Sequence, residues 1–177
     1  MSRYARFARR EHSEPTRIAA TAMAGPVFLG LLPFIVLSIG PRLDRRLGLL
    51  RPRVSVAQRA AGGLLTIAGY ALALWSIDAQ LSRGRGTPLP VMPTQELLTD
   101  GPFRYCRNPM TLGTILAYLG LAIARGTAAG TVFVLSFGAS LVAYLKRLEE
   151  DELVERFGEA YVVYRDTTPF MIPRLRR

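Results

Sequence analysis

The sequence is poor in the residues that build metal centres and disulfides. Its 177 residues include one cysteine, Cys106, and one histidine, His12. A single cysteine excludes an internal disulfide, and so few ligands exclude a Cys/His metal cluster. His12 lies in a charged tail, "RFARREHSEP", so we do not expect a Ser-His-Asp or Cys-His catalytic system.

Lysine is also scarce, because Lys146 is the only lysine among 23 cationic residues. The net charge is +10, yet half of the chain is hydrophobic. The arginines flank apolar blocks, which favours a membrane surface over nucleic acid as the partner. Heavy Arg and Ala usage is typical of a GC-rich bacterial genome. We therefore expect a multi-pass protein of the cell inner membrane that binds neither nucleic acid nor metal.

Apolar runs predict an all-α membrane protein with about four transmembrane helices. The first run has no charge and contains Pro26 and Pro33, which are expected to kink it. Trp75 lies near one end of the second run, as an interfacial anchor would. The predicted spans are 18–39, 60–77, 110–124 and 128–145.

Only Arg125, Gly126 and Thr127 separate the last two predicted spans, so they form a tight helical hairpin. Small residues are expected to let its two helices approach closely. These residues are Gly113, Gly120, Gly130, Gly138 and Ala139.

Charge asymmetry predicts the orientation. With four spans, the two tails and the middle loop share one side and carry sixteen of the 23 cations. The positive-inside rule then places both termini in the cytoplasm. The basic first loop lies on the other side in this topology, where an interfacial amphipathic segment is one interpretation.

Polar segments stand at both open ends of the hairpin. "GPFRYCRNPMTLG" (101–113) precedes it, and "YLKRLEEDELVERFGEAYVVYRDTTPFMIP" (144–173) follows it. The hairpin should bring Arg107 and Asn108 close to Lys146 and Glu150, where the two segments can wall one pocket at the cytoplasmic membrane surface. Taken singly, these features also fit a solvated helix face, headgroup anchors and an ordinary helix start.

At these residues the chain resembles the isoprenylcysteine carboxyl methyltransferase and phospholipid methyltransferase superfamily of integral membrane enzymes. The family pattern has Gly-Pro, Arg-His-Pro and Gly before a helical hairpin, then Glu-Glu, Phe-Gly-x-x-Tyr-x-x-Tyr and Pro. The matching residues are Gly101, Pro102, Arg107, Pro109, Gly113, Glu149, Glu150, Phe157, Gly158, Tyr161, Tyr164 and Pro173. The resemblance covers about residues 94–173. It divides the chain into two membrane helices (1–90) and a methyltransferase-like half (91–177).

The resemblance implies methyl transfer from S-adenosylmethionine to a lipophilic, membrane-borne carboxylate, amine or thiol. The implied catalytic residues are Arg107, Asn108 and Glu150. The implied cofactor contacts are Gln95, Leu98, Phe103, Arg107, Asn108, Pro109, Glu149 and Glu150. The candidate acceptor-binding residues are Lys146, Arg147, Tyr161 and Tyr164.

The sequence departs from the family pattern at three positions. Asn108 replaces the family histidine, Thr111 replaces an aromatic residue, and Phe103 stands where tyrosine is common. An asparagine can hydrogen-bond a cofactor but cannot act as a general base at neutral pH. Two alternative functions therefore stay open: a non-catalytic membrane scaffold, and an NADPH-dependent enzyme like the membrane steroid reductases.

Overall fold

The structure is a computed structural model. It describes residues 13–49, 53–87 and 92–173, apart from the side chains of Leu148 and Glu149. Within these ranges the regular structure is helical and contains no strand, which confirms the predicted all-α fold. The predictions for His12, the N-terminal arginines before it and the last four residues lie outside the described residues.

Six helices define the described part of the chain. They are α1 (Glu14–Arg46), α2 (Val56–Ser82), α3 (Pro109–Arg125), α4 (Ala128–Tyr144), α5 (Glu150–Phe157) and α6 (Glu159–Thr167). A π-helical turn, Leu145–Glu149, joins α4 to α5. Gly158, with φ of 56°, separates α5 from α6, as a glycine in the left-handed region can.

Three of the described helical segments are long and apolar enough to cross a membrane. They are α1, α2 and the continuous segment Ala128–Phe157. Helix α3 has 17 residues, slightly below the length of about 20 that a full crossing needs. The chain is therefore a helical membrane protein, and a total of four spans stays a prediction.

The prolines of α1 change its hydrogen bonding, and the predicted kink stays a prediction. Two stretches of the helix, Pro26–Leu31 and Ile35–Ile39, have π-helical geometry. The Leu32 N–H bonds to the Val27 carbonyl, and Pro33 has no N–H to offer Phe28. The Phe28 carbonyl instead accepts a hydrogen bond of 2.6 Å from the Tyr118 hydroxyl. The Tyr118 hydroxyl, from α3, thus supplies the donor that Pro33 cannot give to the Phe28 carbonyl.

Residue contacts divide the chain into two compact units. The first takes residues from the ranges 1–24, 74–110 and 142–177, and the second takes residues from 25–73 and 111–141. These units do not test the predicted division into residues 1–90 and 91–177, which stays a prediction.

The core of the second unit centres on Tyr118 of α3. Tyr118 is fully buried and packs with Val36 of α1 and Val134 of α4. Its ring also lies near Tyr70 of α2 and Phe137 of α4, with centroid separations of 6.4 and 6.3 Å. The predicted α3–α4 hairpin is present, and this aromatic cluster joins its two helices to α1 and α2.

Glycines bring α2 and α3 into backbone contact. A Cβ on Gly62 would lie 2.6 Å from the Ala124 nitrogen, and a Cβ on Gly120 would lie 2.5 Å from the Gly62 carbonyl oxygen. Gly113 likewise faces the Gly69 carbonyl. The prediction that Gly113 and Gly120 serve the α3–α4 contact is therefore corrected, because both face α2. Gly138 does serve the hairpin, since it contacts Ile115 of α3.

Asp44, in the last turn of α1, caps the N-terminal end of α4. Asp44 is buried, and its carboxylate accepts a hydrogen bond of 2.8 Å from the Ala129 backbone N–H at the start of α4. The carboxylate suits the positive end of that helix. The segment from Gly40 to Arg46 continues α1 as an α-helix. The interfacial position of the first loop stays a prediction.

The first unit has its own core, made mainly of aromatic residues. Phe103, Tyr161 and Tyr164 are buried there together with Leu98 and Ala79. Glu152 and Arg156, one helical turn apart on α5, form an ion pair with an Nη1–Oε1 distance of 3.1 Å. Arg156 also donates to the Thr94 carbonyl, which ties α5 to the segment before the motif.

Candidate active site

Arg107 and Glu150 join the two predicted motif segments. Arg107 stands two residues before α3, and Glu150 is the first residue of α5. Their side chains form an ion pair and are only 11% and 22% exposed. The Arg107 Nη1 also donates a hydrogen bond of 3.2 Å to the Tyr161 hydroxyl. The predicted approach of these segments is thus confirmed.

One nitrogen of the Arg107 guanidinium has no partner. The Nε atom is buried and makes no hydrogen bond to the described protein. Buried guanidinium groups are normally hydrogen-bonded, because an unpaired donor costs desolvation free energy. The site therefore retains an unused cationic donor beside a carboxylate.

The C-terminal segment 168–173, here called the strap, lies against the same residues. The Arg107 backbone N–H donates to the Pro169 carbonyl at 2.9 Å, and the Asn108 Nδ2 donates to the Phe170 carbonyl at 3.0 Å. Asn108, which stands where the family has histidine, therefore holds the strap through its amide. An asparagine can do this without any change of protonation.

The Phe170 ring lies near two cations. Arg107 Cζ is 5.4 Å and Lys146 Nζ is 4.9 Å from the ring centroid. Both distances are within the range of a cation–π interaction. Phe170 thereby brings the exposed Lys146 to the same place as Arg107 and Glu150. Our sequence reasoning missed this residue; an aromatic side chain between Pro169 and Pro173 was the available signal.

Several predicted contact residues belong to the core around the site. Leu98 and Phe103 are each 9% exposed, and Tyr161 is 2% exposed. The Tyr164 hydroxyl donates a hydrogen bond of 2.7 Å to the Phe103 carbonyl. Burial raises the pKa of Tyr164 above its ordinary value, so its hydroxyl stays protonated. Tyr164 thus acts as a hydrogen-bond donor that fixes the motif segment.

The remaining predicted residues are distributed around this core. Pro109 is buried at the start of α3, and Arg147 is exposed. Gln95 is half-buried, and its Nε2 donates to the Pro93 carbonyl at 2.9 Å. The side chain of Glu149 lies outside the described residues, so its role stays a prediction.

Cationic and anionic groups meet at this site within a few ångströms. Arg107 and Lys146 supply positive charge, and Glu150 supplies a carboxylate. Such an arrangement suits a zwitterionic ligand, because a carboxylate binds an ammonium group and a guanidinium binds a carboxylate. Tyr161, whose hydroxyl accepts a hydrogen bond from Arg107, belongs to the aromatic core of the same unit.

The comparisons with known proteins identify one family. The model of the family described as phospholipid methyltransferase matches residues 57–160, which is more than half of the chain. The match includes α2, the motif segment, the hairpin and α5. A search of curated proteins gave no match. A search of solved structures gave none either.

Proposed function

The chain belongs to the phospholipid methyltransferase family, and we propose that it transfers a methyl group from S-adenosylmethionine to an amine of a membrane lipid. Membership of this family implies a membrane methyltransferase. The donor, the acceptor and the residues that bind them are our proposal. We also propose that the protein lies in the bacterial inner membrane with both termini in the cytoplasm. The methyl donor is then supplied from the cytoplasm.

The observation that carries the proposal is the partly buried Arg107–Glu150 pair with its unpaired Arg107 Nε. The methionine part of S-adenosylmethionine has an ammonium group and a carboxylate. Glu150 can bind the ammonium group, and Arg107 Nε can donate to the carboxylate. The residues therefore fit this cofactor.

The Phe170 ring gives a further reason for the choice of cofactor. When bound, S-adenosylmethionine supplies a methyl group on a positively charged sulfur. An aromatic face attracts such a cation, and Phe170 already lies near two cationic side chains. Asn108 positions this ring indirectly, through its hydrogen bond to the Phe170 carbonyl.

Glu150 has a second candidate role, as proton acceptor, which is an alternative to binding the ammonium group of the cofactor. An amine must lose a proton before or during methylation, and a positioned carboxylate can take it. Tyr161 and Tyr164 are buried, and burial raises the pKa of Tyr164. Glu150 is a carboxylate that is 22% exposed and paired with Arg107. Asn108 cannot act as a general base, and the proposal does not require it to do so.

Calorimetric titration of the detergent-purified protein with S-adenosylhomocysteine tests the cofactor assignment. We expect binding in the micromolar range that weakens about tenfold or more in Glu150→Gln, since hydrogen bonds to charged groups contribute about 1.5–3 kcal/mol. Asp151→Asn is the matched control, because it removes the same charge from an exposed neighbour in the same helical turn. It should bind like the wild type.

Parallel titration with NADPH separates the alternatives. Binding of NADPH without S-adenosylhomocysteine would overturn the proposal in favour of a reductase. Binding of neither ligand by well-folded protein would leave the non-catalytic scaffold. Equal weakening in Glu150→Gln and Asp151→Asn would show that Glu150 has no specific role.

A further inference from the structure

A second site is indicated at the start of α1, away from the motif residues in the chain. Arg17 lies in the first turn of this helix, directly before the apolar run that begins at Ile18. Its Nε and Nη1 atoms are buried and have no hydrogen-bond partner. The Thr21 Oγ1, one helical turn later, is also buried and unpaired.

The Arg17 guanidinium differs from those that the structure pairs with acids. Among the described residues, Arg83, Arg107, Arg156 and Arg165 form ion pairs with carboxylates. Arg107 also has an unpaired Nε, but its Nη1 binds Glu150. The nearest acid on α1, Glu14, is exposed and lies outside those pairs. A buried cation without an anion costs considerable desolvation free energy, so the structure favours an external anion here.

The Thr21 hydroxyl is unusual in the same way. Hydroxyl side chains inside helices commonly bond to the carbonyl four residues earlier. Thr66, Thr131 and Ser140 all do so, at 2.8, 2.8 and 2.9 Å. Thr21 makes no such bond, although the Arg17 carbonyl is the equivalent acceptor. Its hydroxyl is therefore available to a ligand on the face that it shares with Arg17.

We propose that Arg17 and Thr21 bind the phosphate group of an anionic membrane lipid. Arg17 stands where a charged helix end meets an apolar run, and headgroup phosphates occupy that depth of a bilayer. A guanidinium and a hydroxyl on successive helical turns both donate to phosphate oxygens. The proposal concerns lipid binding and does not depend on methyl transfer.

The test is binding of soluble short-chain lipids to the full-length protein in detergent, measured by calorimetry. Dihexanoylphosphatidylglycerol supplies the phosphate, dihexanoylglycerol lacks it, and inorganic phosphate supplies the anion without a lipid. We expect the first to bind, with affinity reduced about tenfold or more in Arg17→Gln and severalfold in Thr21→Val. Thr21→Val keeps the side-chain shape, so it tests the hydroxyl even where Arg17→Gln folds poorly.

Arg45→Gln is the control, because Arg45 is an exposed cation at the other end of α1. It should bind within about twofold of the wild type, since a distant exposed charge is screened by salt. Equal loss in Arg45→Gln would overturn the proposal in favour of a general charge effect. Equal binding of dihexanoylglycerol would overturn it as well. Equally tight binding of inorganic phosphate would show an anion site that does not recognise lipid.

Discussion

Glu150→Gln is the most informative substitution for the proposed site, because it removes one charge and nearly preserves the side-chain shape. The change leaves Arg107 without its carboxylate partner. Arg107 is 11% exposed and has the Tyr161 hydroxyl and the Phe170 ring nearby. These neutral groups compensate the guanidinium charge less well than a carboxylate does.

The magnitude follows from the burial of the pair. Removing one partner of a fully buried ion pair costs about 3–5 kcal/mol, and surface pairs contribute about 0–1 kcal/mol. The Arg107–Glu150 pair is intermediate, so we expect a loss of about 2 kcal/mol. For a chain of this size, that corresponds to a fall in melting temperature of about 4–8 °C.

Thermal unfolding in detergent measures this effect, with Asp151→Asn as the control. Asp151 is exposed beside Glu150, and its substitution should change the melting temperature by about 2 °C or less. A double-mutant cycle with Arg107→Gln should give a coupling free energy of about 1–2 kcal/mol. A coupling near zero would refute the argument, since the pair would then contribute nothing beyond two independent side chains.

Three further predictions concern packing and burial. Gly62→Ala should destabilise the protein by about 1–3 kcal/mol in thermal unfolding, because its Cβ would meet the α3 backbone. Gly63→Ala is the control: its Cβ would meet open space, so it should be neutral or stabilising. Tyr164→Phe should lower the free energy of unfolding by about 1 kcal/mol, because the Phe103 carbonyl loses its donor. The affinity for S-adenosylhomocysteine should stay unchanged, and a large loss of affinity would contradict the structural role of Tyr164. Cys106 is 1% exposed and burial raises its pKa, so maleimide should label it at neutral pH only after unfolding.

Much of the fold could be predicted from local sequence features. The short turn after Arg125 stands where the chain reverses direction between α3 and α4. The order of the Arg107 and Glu150 segments around the hairpin was enough to predict their contact. In both cases the short turn of the hairpin determines which segments meet.

The unpredicted features depend on contacts between residues far apart in the sequence. The Asp44 carboxylate caps α4 from 85 residues away, and Asn108 holds Phe170 from 62 residues away. Local composition carries no signal for such partners. Glycine spacing predicted close helix packing but not the partner helix, because Gly113 and Gly120 face α2.

The location of the candidate site could be predicted from the sequence better than the contacts within it. Leu98 and Phe103 were implied as cofactor contacts, and their side chains belong to a buried core. Their contact with a cofactor stays a prediction. The burial of these side chains depends on how the helices pack, which local sequence does not determine.

Methyl transfer into lipid is the most direct test of the account. The full-length protein would be reconstituted in vesicles that contain phosphatidylethanolamine and supplied with S-adenosylmethionine labelled with tritium in its methyl group. We expect label in the extracted lipid with the wild type and with Asp151→Asn, and a strong loss with Glu150→Gln. Absence of lipid label from folded wild-type protein that binds S-adenosylhomocysteine would contradict a lipid amine as the acceptor. Full activity in Glu150→Gln would contradict the proposed role of the Arg107–Glu150 pair.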